Sequence, residues 1–324
     1  MPCAIRLHTH GGPEVLRLEE VSVGRPRRGE VRLRQTAVGL NFIDVYGRTG
    51  LYPVTLPSGL GQEAAGVVIE LGPGVRSLKE GDRVAYVHSQ PGSYADERVM
   101  PVNRLVRVPA DVGDQQAAAV MLKGLTAWYL LRRTYRVRKG DPVVIHAAAG
   151  GVGLIAVQWA RHLGAEVIAV TGSGEKAAMA REHGAHHTIL LGRGDLSARV
   201  REITGGKGVP VVYDSIGKDT FFDSLDCLRP FGLMVTYGNA SGPVPPFSPM
   251  ELAKRGSLFL TRPTLFTYIA KRAALERGAS ELFAVMASGA VRVRIGQTYP
   301  LADAALAHRE LEARRTTGST VLIP

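Results

Sequence analysis

Apolar and polar residues alternate along 31–38 (VRLRQTAV), the period of a strand with one buried face. The run 64–72 predicts a second strand, ended by the turn Gly72-Pro73-Gly74. Residues 80–87 repeat this turn-then-strand form, and 92–99 add one more. Short strands at such spacing predict a partly open β-barrel. The pattern changes near Asp114. Residues 115–120 and 124–131 read as helices, and 137–141 lead into a strand over 143–148. Further strands are predicted at 166–171, 188–191, 209–215, 233–237 and 258–262, with helices between most of them. Six strands with crossover helices predict an α/β fold with a doubly wound parallel sheet. A helix over 280–288 and a last strand over 320–323 read as a return to the first domain.

The most specific segment is 142–153 (PVVIHAAAGGVG), which reads as buried strand, glycine turn and helix start. Gly150 lets backbone approach a pyrophosphate, and Gly153 lets the helix pack tightly on the strand. The first helical N–H groups, at Gly151, Val152 and Gly153, then face the phosphates at the positive end of the helix dipole. Ala148 replaces the first glycine of the usual fingerprint, leaving Ala148-x-Gly150-x-x-Gly153. The context supports the motif, because 154–160 continues as a helix and 166–170 follows as a second strand. An ordinary strand–turn–helix of another α/β protein is the alternative. The acceptor for a cofactor ribose belongs about 20 residues on. There the chain reads TGSGEK, 171–176, and no carboxylate ends the strand. Ser173, the open backbone at Gly172 and the cation Lys176 suit a 2′-phosphate, which favours NADPH over NADH. The competing reading has Glu175 take the ribose, with Lys176 a solvated helix residue.

The chain has 324 residues and is 45% hydrophobic, enough for two domains with cores. No apolar run reaches the roughly 20 residues that span a bilayer. The first residues lack the apolar stretch of a signal peptide, so the expected location is the cytoplasm. Two cysteines, Cys3 and Cys227, make neither a disulfide framework nor a four-thiolate zinc site. The pairs His8/His10 and His183/His187 have metal-compatible spacing, but no Cys or carboxylate cluster joins them. The net charge of +11 permits binding to nucleic acid or anionic ligands. Its arginines are scattered, without a helix-length basic stripe or a nucleic-acid motif.

These residues resemble a known family. The marks are 11–16 (GGPEVL), 38–44 (VGLNFID), 61–68 (GQEAAGVV), 147–153 (AAAGGVG), 212–217 (VYDSIG), 261–263 (TRP) and 317–319 (TGS). Together they are similar to the zinc-free NADPH:quinone oxidoreductases, the zeta-crystallin type of the medium-chain dehydrogenase/reductase superfamily. The resemblance implies a GroES-like, partly open β-barrel catalytic domain over 1–122. A Rossmann-type domain binds NADPH over 123–264, and 265–324 return to the catalytic domain. It also implies why a metal is absent. Zinc-dependent relatives place cysteine and histidine where Asn41 and Gln62 stand, and neutral amides are poor zinc ligands.

The implied activity is reduction of a quinone by NADPH in the cleft between the domains. The nearest rival is reduction of α,β-unsaturated aldehydes or ketones, and a rival of another class is an RNA-binding protein with a vestigial cofactor site. A quinone is electron-poor, so positioning and hydrogen-bond donors suffice. By family position the donors are Asn41, Tyr46, Tyr52 and Gln62; core or lid packing is the other reading of the two tyrosines. Also by position, Thr126 faces the nicotinamide ribose and Gly238-Asn239 passes under the dinucleotide. Thr261, Arg262 and Pro263 meet the carboxamide, and Arg314 lies near the adenosine phosphate. Relatives often carry Tyr-Arg after the third strand of the sheet, where this chain has Leu191-Gly192. The resemblance further implies a homodimer that pairs the apolar strand 256–262 with its twin.

Overall fold

A computed structural model describes residues 1–324. The chain opens with β1 (Cys3–Leu7), β2 (Leu16–Glu20), β3 (Glu30–Leu40), α1 (Phe42–Thr49) and β4 (Ser58–Gly59). It continues through β5 (Glu63–Leu71), β6 (Arg83–Val87), β7 (Glu97–Pro101), β8 (Leu105–Arg107) and α2 (Asp114–Tyr129). Residues 115–131 were expected as two helices, and α2 is one, followed by a π-turn over Leu130–Thr134. Gly124 does not break it. A Cβ there would lie 2.6 Å from the Leu282 side chain, so this glycine serves close packing. The expected strand over 92–99 begins only at Glu97. Gly92 sits at φ +132°, and the segment up to Asp96 carries only an isolated bridge between Ala4 and Ala95.

The glycine-rich region follows the expected alternation. It runs β9 (Pro142–Ile145), α3 (Gly151–His162), β10 (Glu166–Thr171), α4 (Gly174–Glu182), β11 (His187–Leu190) and α5 (Leu196–Ile203). Then come β12 (Val209–Asp214), α6 (Phe221–Asp226), β13 (Leu228–Thr236), α7 (Met250–Lys254), β14 (Phe259–Thr261) and α8 (Leu265–Tyr268). The six strands form one parallel sheet in the order β11-β10-β9-β12-β13-β14. In chain order that is 3-2-1-4-5-6, the doubly wound arrangement whose direction reverses between β9 and β12. Val143, Val144 and Ile145 of β9 and Val211 and Val212 of β12 are all fully buried. Their continuous apolar runs reflect a sheet covered on both faces.

The chain ends with α9 (Arg272–Ala287), β15 (Ile295–Pro300), α10 (Ala304–Glu312) and β16 (Ser319–Ile323). The helix expected at 280–288 therefore starts eight residues earlier. A second sheet runs β15-β16-β3-β5-β6-β8, with β7 also paired to β3, and β2-β1-β4 form a separate small sheet. The path does not close, as a partly open barrel requires. Its core gathers Leu33, Val38, Leu40, Val68, Val84 and Tyr86. Two compact units result. One holds Met1–Leu125, Ile269–Phe283 and Val293–Pro324, and the other holds Thr126–Tyr268 and Ala284–Arg292. No helix is long and apolar enough to cross a membrane.

Candidate active site

In the parallel-sheet unit, β9 ends in a turn built for close approach. His146 N–H donates to Tyr213 O at 3.0 Å, and Ala148 N–H to Val170 O at 3.2 Å, tying the turn to both neighbouring strands. Ala147 adopts a left-handed φ of +49°, and Gly150 caps α3. At Gly153 a Cβ would lie 2.7 Å from Ala148 Cα, so only glycine lets α3 begin so close to the strand end. The first turn of α3 thus offers the N–H groups of Gly151, Val152 and Gly153 with no carbonyl above them.

After β10, Ser173 caps α4 by accepting the Lys176 N–H at 3.3 Å. Cβ atoms at Gly172 and Gly174 would meet nothing within 4 Å, so backbone flanks Ser173 in open space. Glu175 is exposed on the first turn of the same helix. After β12, the Asp214 carboxylate accepts the N–H groups of Ile216 (2.7 Å) and Gly217 (3.2 Å), and the hydroxyls of Thr220 and Ser224. Ser224 in turn meets His146 Nε2 at 3.0 Å, and burial pushes the His146 pKa down. A neutral imidazole therefore joins the glycine turn to the turn after β12. Gly238 follows β13, where a Cβ would lie 2.9 Å from Ser215 Cα, so the 215–217 and 238–242 turns cross at backbone contact. Arg262, beyond β14, donates to Thr236 O at 3.2 Å. Thr126 is buried on α2. The residues expected to hold the dinucleotide therefore follow the carboxyl ends of the strands, except Thr126 on α2 and Arg314, which follows α10 in the other unit at φ +59°.

In the barrel unit, Asn41 leads a buried polar network. Glu63, fully buried at the start of β5, accepts Asn41 Nδ2 and Lys123 Nζ, both at 2.8 Å, and the Leu122 N–H at 2.5 Å. Gly39 makes room, because a Cβ there would collide with the carboxylate and with Ala118 O. Asn41 also forms a capping box with Asp44 at the start of α1, the Asp44 carboxylate accepting the Asn41 N–H at 2.9 Å. Tyr46, on the same helix, packs its ring 5.1 Å from that of Tyr52. Gln62 turns its amide nitrogen to Ser89 O at 3.2 Å, and its buried Oε1 meets no donor.

A second chain of contacts runs from Asp44 to α10. Tyr94 donates to Asp44 Oδ2 at 3.0 Å, His308 Nε2 lies 3.1 Å from the Tyr94 hydroxyl, and Arg48 meets His308 Nδ1 at 3.4 Å. Arg48 also pairs with Glu312 at 2.7 Å. Since arginine only donates, His308 carries its proton on Nε2. Burial pushes Asp44 up to about 7, with the nearby Glu63 adding to the push and the Asn41 and Tyr94 hydrogen bonds opposing it. Burial, helped by the Arg48 charge, pushes His308 down to about 3.

These shifts predict opposed pH dependences. Between 3.8 and about 7 the folded protein holds an Asp44 proton that the unfolded chain has lost. That contribution is full at low pH and disappears as the pH rises through about 7. For His308 the unfolded chain takes up the proton below 6.5, while the folded protein resists it down to about 3. Its contribution is full above 6.5 and is lost as the pH falls. Each slope is about 1.4 kcal/mol per pH unit, so the two offset each other between about pH 4 and 6.5. Relative to wild type, Asp44→Asn should lose stability from pH 6.5 to 4.5 in urea titrations. His308→Gln should lose it from pH 4.5 to 6.5. Parallel pH curves for all three proteins would refute the assignment.

No group of three or more His, Cys, Asp or Glu side chains is arranged to hold a metal ion. His8 pairs with Glu19, His183 with Met179 O, and His187 with Glu166. The donors at positions 41 and 62 are amides with their nitrogens on protein acceptors, a set that does not fit zinc. Burial pushes the Cys227 thiol up to about 12, so it is no nucleophile. Asp44, Glu63, Tyr94, Lys123 and His308 escaped the sequence reading. One signal was visible: Lys123 is the lone charge in the apolar stretch 117–131.

Two family descriptions match the chain. They are the alcohol dehydrogenase GroES-like domain over 27–110 and the zinc-binding dehydrogenase over 151–282. Quinone oxidoreductase of Pseudomonas aeruginosa is 51% identical over 321 residues, 99% of each chain. The 2-haloacrylate reductase of a Burkholderia species is 49% identical, over 100% of this chain and 99% of that one. The crystal structure of Escherichia coli quinone oxidoreductase complexed with NADPH superposes with a TM-score of 0.98. It is 48% identical and covers 99% of this chain and 100% of the other. With a GroES-like sheet, a doubly wound nucleotide sheet and end-to-end likeness of this degree, the chain belongs to the quinone oxidoreductase family of the medium-chain dehydrogenase/reductases.

Proposed function

We propose that this protein is a zinc-independent reductase of quinones that uses NADPH, working in the cytoplasm as a homodimer. The observation that carries the reading is the 51% identity, over 99% of the chain, to a quinone oxidoreductase. The geometry supports the cofactor: the glycine-opened start of α3 fits a pyrophosphate, and Ser173 and Lys176, with no acid ending β10, fit a 2′-phosphate. Thr126, Gly238, Asn239, Thr261, Arg262 and Pro263 hold the rest of the dinucleotide, and Arg314 is a further candidate for its phosphate. NADPH, when bound, supplies the hydride. The protein's task is then to orient an electron-poor acceptor and to keep water out. Tyr46, Tyr52, Asn41 and Gln62 remain the candidates for holding its oxygen. Two free cysteines suit a reducing compartment.

The 49% identity to a 2-haloacrylate reductase favours a second reading, in which the acceptor is an α,β-unsaturated acid, aldehyde or ketone. The deciding experiment is NADPH oxidation against a panel of quinones, enals and 2-haloacrylates. Quinones should give the highest kcat/KM. A preference for the unsaturated carbonyl compounds would replace the first reading with the second.

The dimer rests on the sheet edge. β14 ends the six-stranded sheet, with Phe259 60% exposed, and Phe231 nearby is 71% exposed at a left-handed φ of +60°. An apolar open edge is a liability unless another strand covers it. Pairing β14 with its twin would make a twelve-stranded sheet. Light scattering at micromolar concentration should therefore give twice the monomer mass, and Phe259→Asp should shift it towards monomer. A wild-type monomer would overturn the assignment.

A further inference from the structure

We infer that Lys123 is a positioning residue of this site: through Glu63 it fixes the amide of Asn41, and with it the start of the helix that carries Tyr46. The inference rests on the reading of Asn41 and Tyr46 given above. Lys123 is 5% exposed and Glu63 not at all, so their ion pair is buried. Apolar residues of similar volume would often stabilise such a place as well or better. Stability alone is therefore a weak explanation of this buried charge pair.

The contacts supply another. A single carboxylate oxygen of Glu63 accepts both the Lys123 ammonium and the Asn41 amide nitrogen, while the other accepts the Leu122 N–H. An ionised carboxylate only accepts hydrogen bonds. Glu63 accepts the ammonium and the amide on one oxygen, so the nitrogen end of the Asn41 amide faces it. Without the ammonium, that oxygen loses one of the two donors that fix it in place. The carboxylate can then shift, and the Asn41 amide that rests on it shifts too. The other groups around Glu63 do not replace the ammonium. Asp44 on α1 and Tyr94 are acidic side chains, and the Arg48 guanidinium lies beyond Tyr94, in the contact chain to His308.

The orientation of Asn41 matters because Asn41 is the cap of α1. Its capping box with Asp44 sets where the helix starts, and Tyr46 follows five residues later with its ring against Tyr52. Lys123 thus acts on the acceptor side of the site through two intermediaries, without touching the acceptor.

A double-mutant cycle tests this in the full-length protein. Lys123→Met should lower kcat for a quinone by about tenfold to a hundredfold, the scale of an angstrom-sized misplacement. The dissociation constant for NADPH should stay close to that of wild type. Asn41→Ala should cause a loss of similar size. The double variant should be no slower than the worse single one, because both act on one element. Losses that multiply would overturn the inference. A second measurement needs no turnover. The side-chain 15N–1H2 signals of Asn41, identified by their loss in Asn41→Ala, should exchange slowly with water in wild type. In Lys123→Gln, a milder change that serves if the methionine variant does not fold, exchange should be at least about tenfold faster, as expected when the equivalent of 1.4 kcal/mol of protection is lost. Unchanged exchange overturns the inference whatever the acceptor proves to be. Absence of quinone reduction in wild type, by contrast, would strike at the proposed function and leave this measurement standing.

Discussion

Glu63→Ala is expected to destabilise the barrel unit by about 3–5 kcal/mol, the cost of leaving a buried charge without its partner. Lys123, 5% exposed, would lose its counter-ion, and the Leu122 N–H and Asn41 Nδ2 would lose their acceptor together with it. The cavity left by the side chain adds to the loss. Exposed pairs such as Arg272–Glu276 contribute little by comparison, because water screens them. The measurement is the guanidinium midpoint at unchanged m-value. Glu276→Ala is the control and should shift it by no more than about 0.5 kcal/mol. Glu63→Leu combined with Lys123→Met should recover part of the stability, since the unpaired charge is gone. A midpoint for Glu63→Ala within that control range would show that Lys123 finds water or another partner.

The second large effect concerns the cofactor. Lys176→Ala should weaken NADPH binding by about tenfold to a hundredfold, from the roughly 1.5–3 kcal/mol of a hydrogen bond to a charged group. NADH lacks the 2′-phosphate and should bind as before. Ser173→Asp should go further and reverse the preference, because it sets a carboxylate against the phosphate and offers the ribose an acceptor. The structure makes this a clean test. Ser173 is the cap of α4, and aspartate caps a helix as well as serine does. The fold should therefore survive while the charge changes. Dissociation constants of both cofactors for the three proteins decide the matter. Equal weakening of both by Lys176→Ala would remove Lys176 as the phosphate ligand and leave Arg314 as the next candidate. A wild-type preference for NADH would overturn the reading of the whole turn.

The nucleotide sheet was legible in the order of residues because its signals are local. Continuous apolar runs mark strands buried on both faces, and glycines at 150 and 153 mark a backbone that must approach something closely. All six strands fall where the pattern puts them, within a few residues at the ends apart from an early start at Leu228. The serine and lysine after β10 were legible for the same reason, lying within five residues of a strand end. Gly124 misled because a glycine in a helix can be a break or a contact, and only the Leu282 side chain against it tells which.

The buried network is the opposite case. Asn41, Glu63, Lys123, Tyr94 and His308 come from segments up to 267 positions apart, and nothing in their spacing announces that they meet. Hydrophobic periodicity reports which face of an element is buried. It does not report which polar groups from distant elements satisfy one another once buried. Asn41 and Gln62 stood out in the sequence as amides at positions of interest, but the partners of their nitrogens, Glu63 and Ser89, appeared only when the chain had folded. Burial then decided protonation. A carboxyl at about 7 and an imidazole at about 3 are properties of the packed interior around Asp44 and His308, and no residue has them alone.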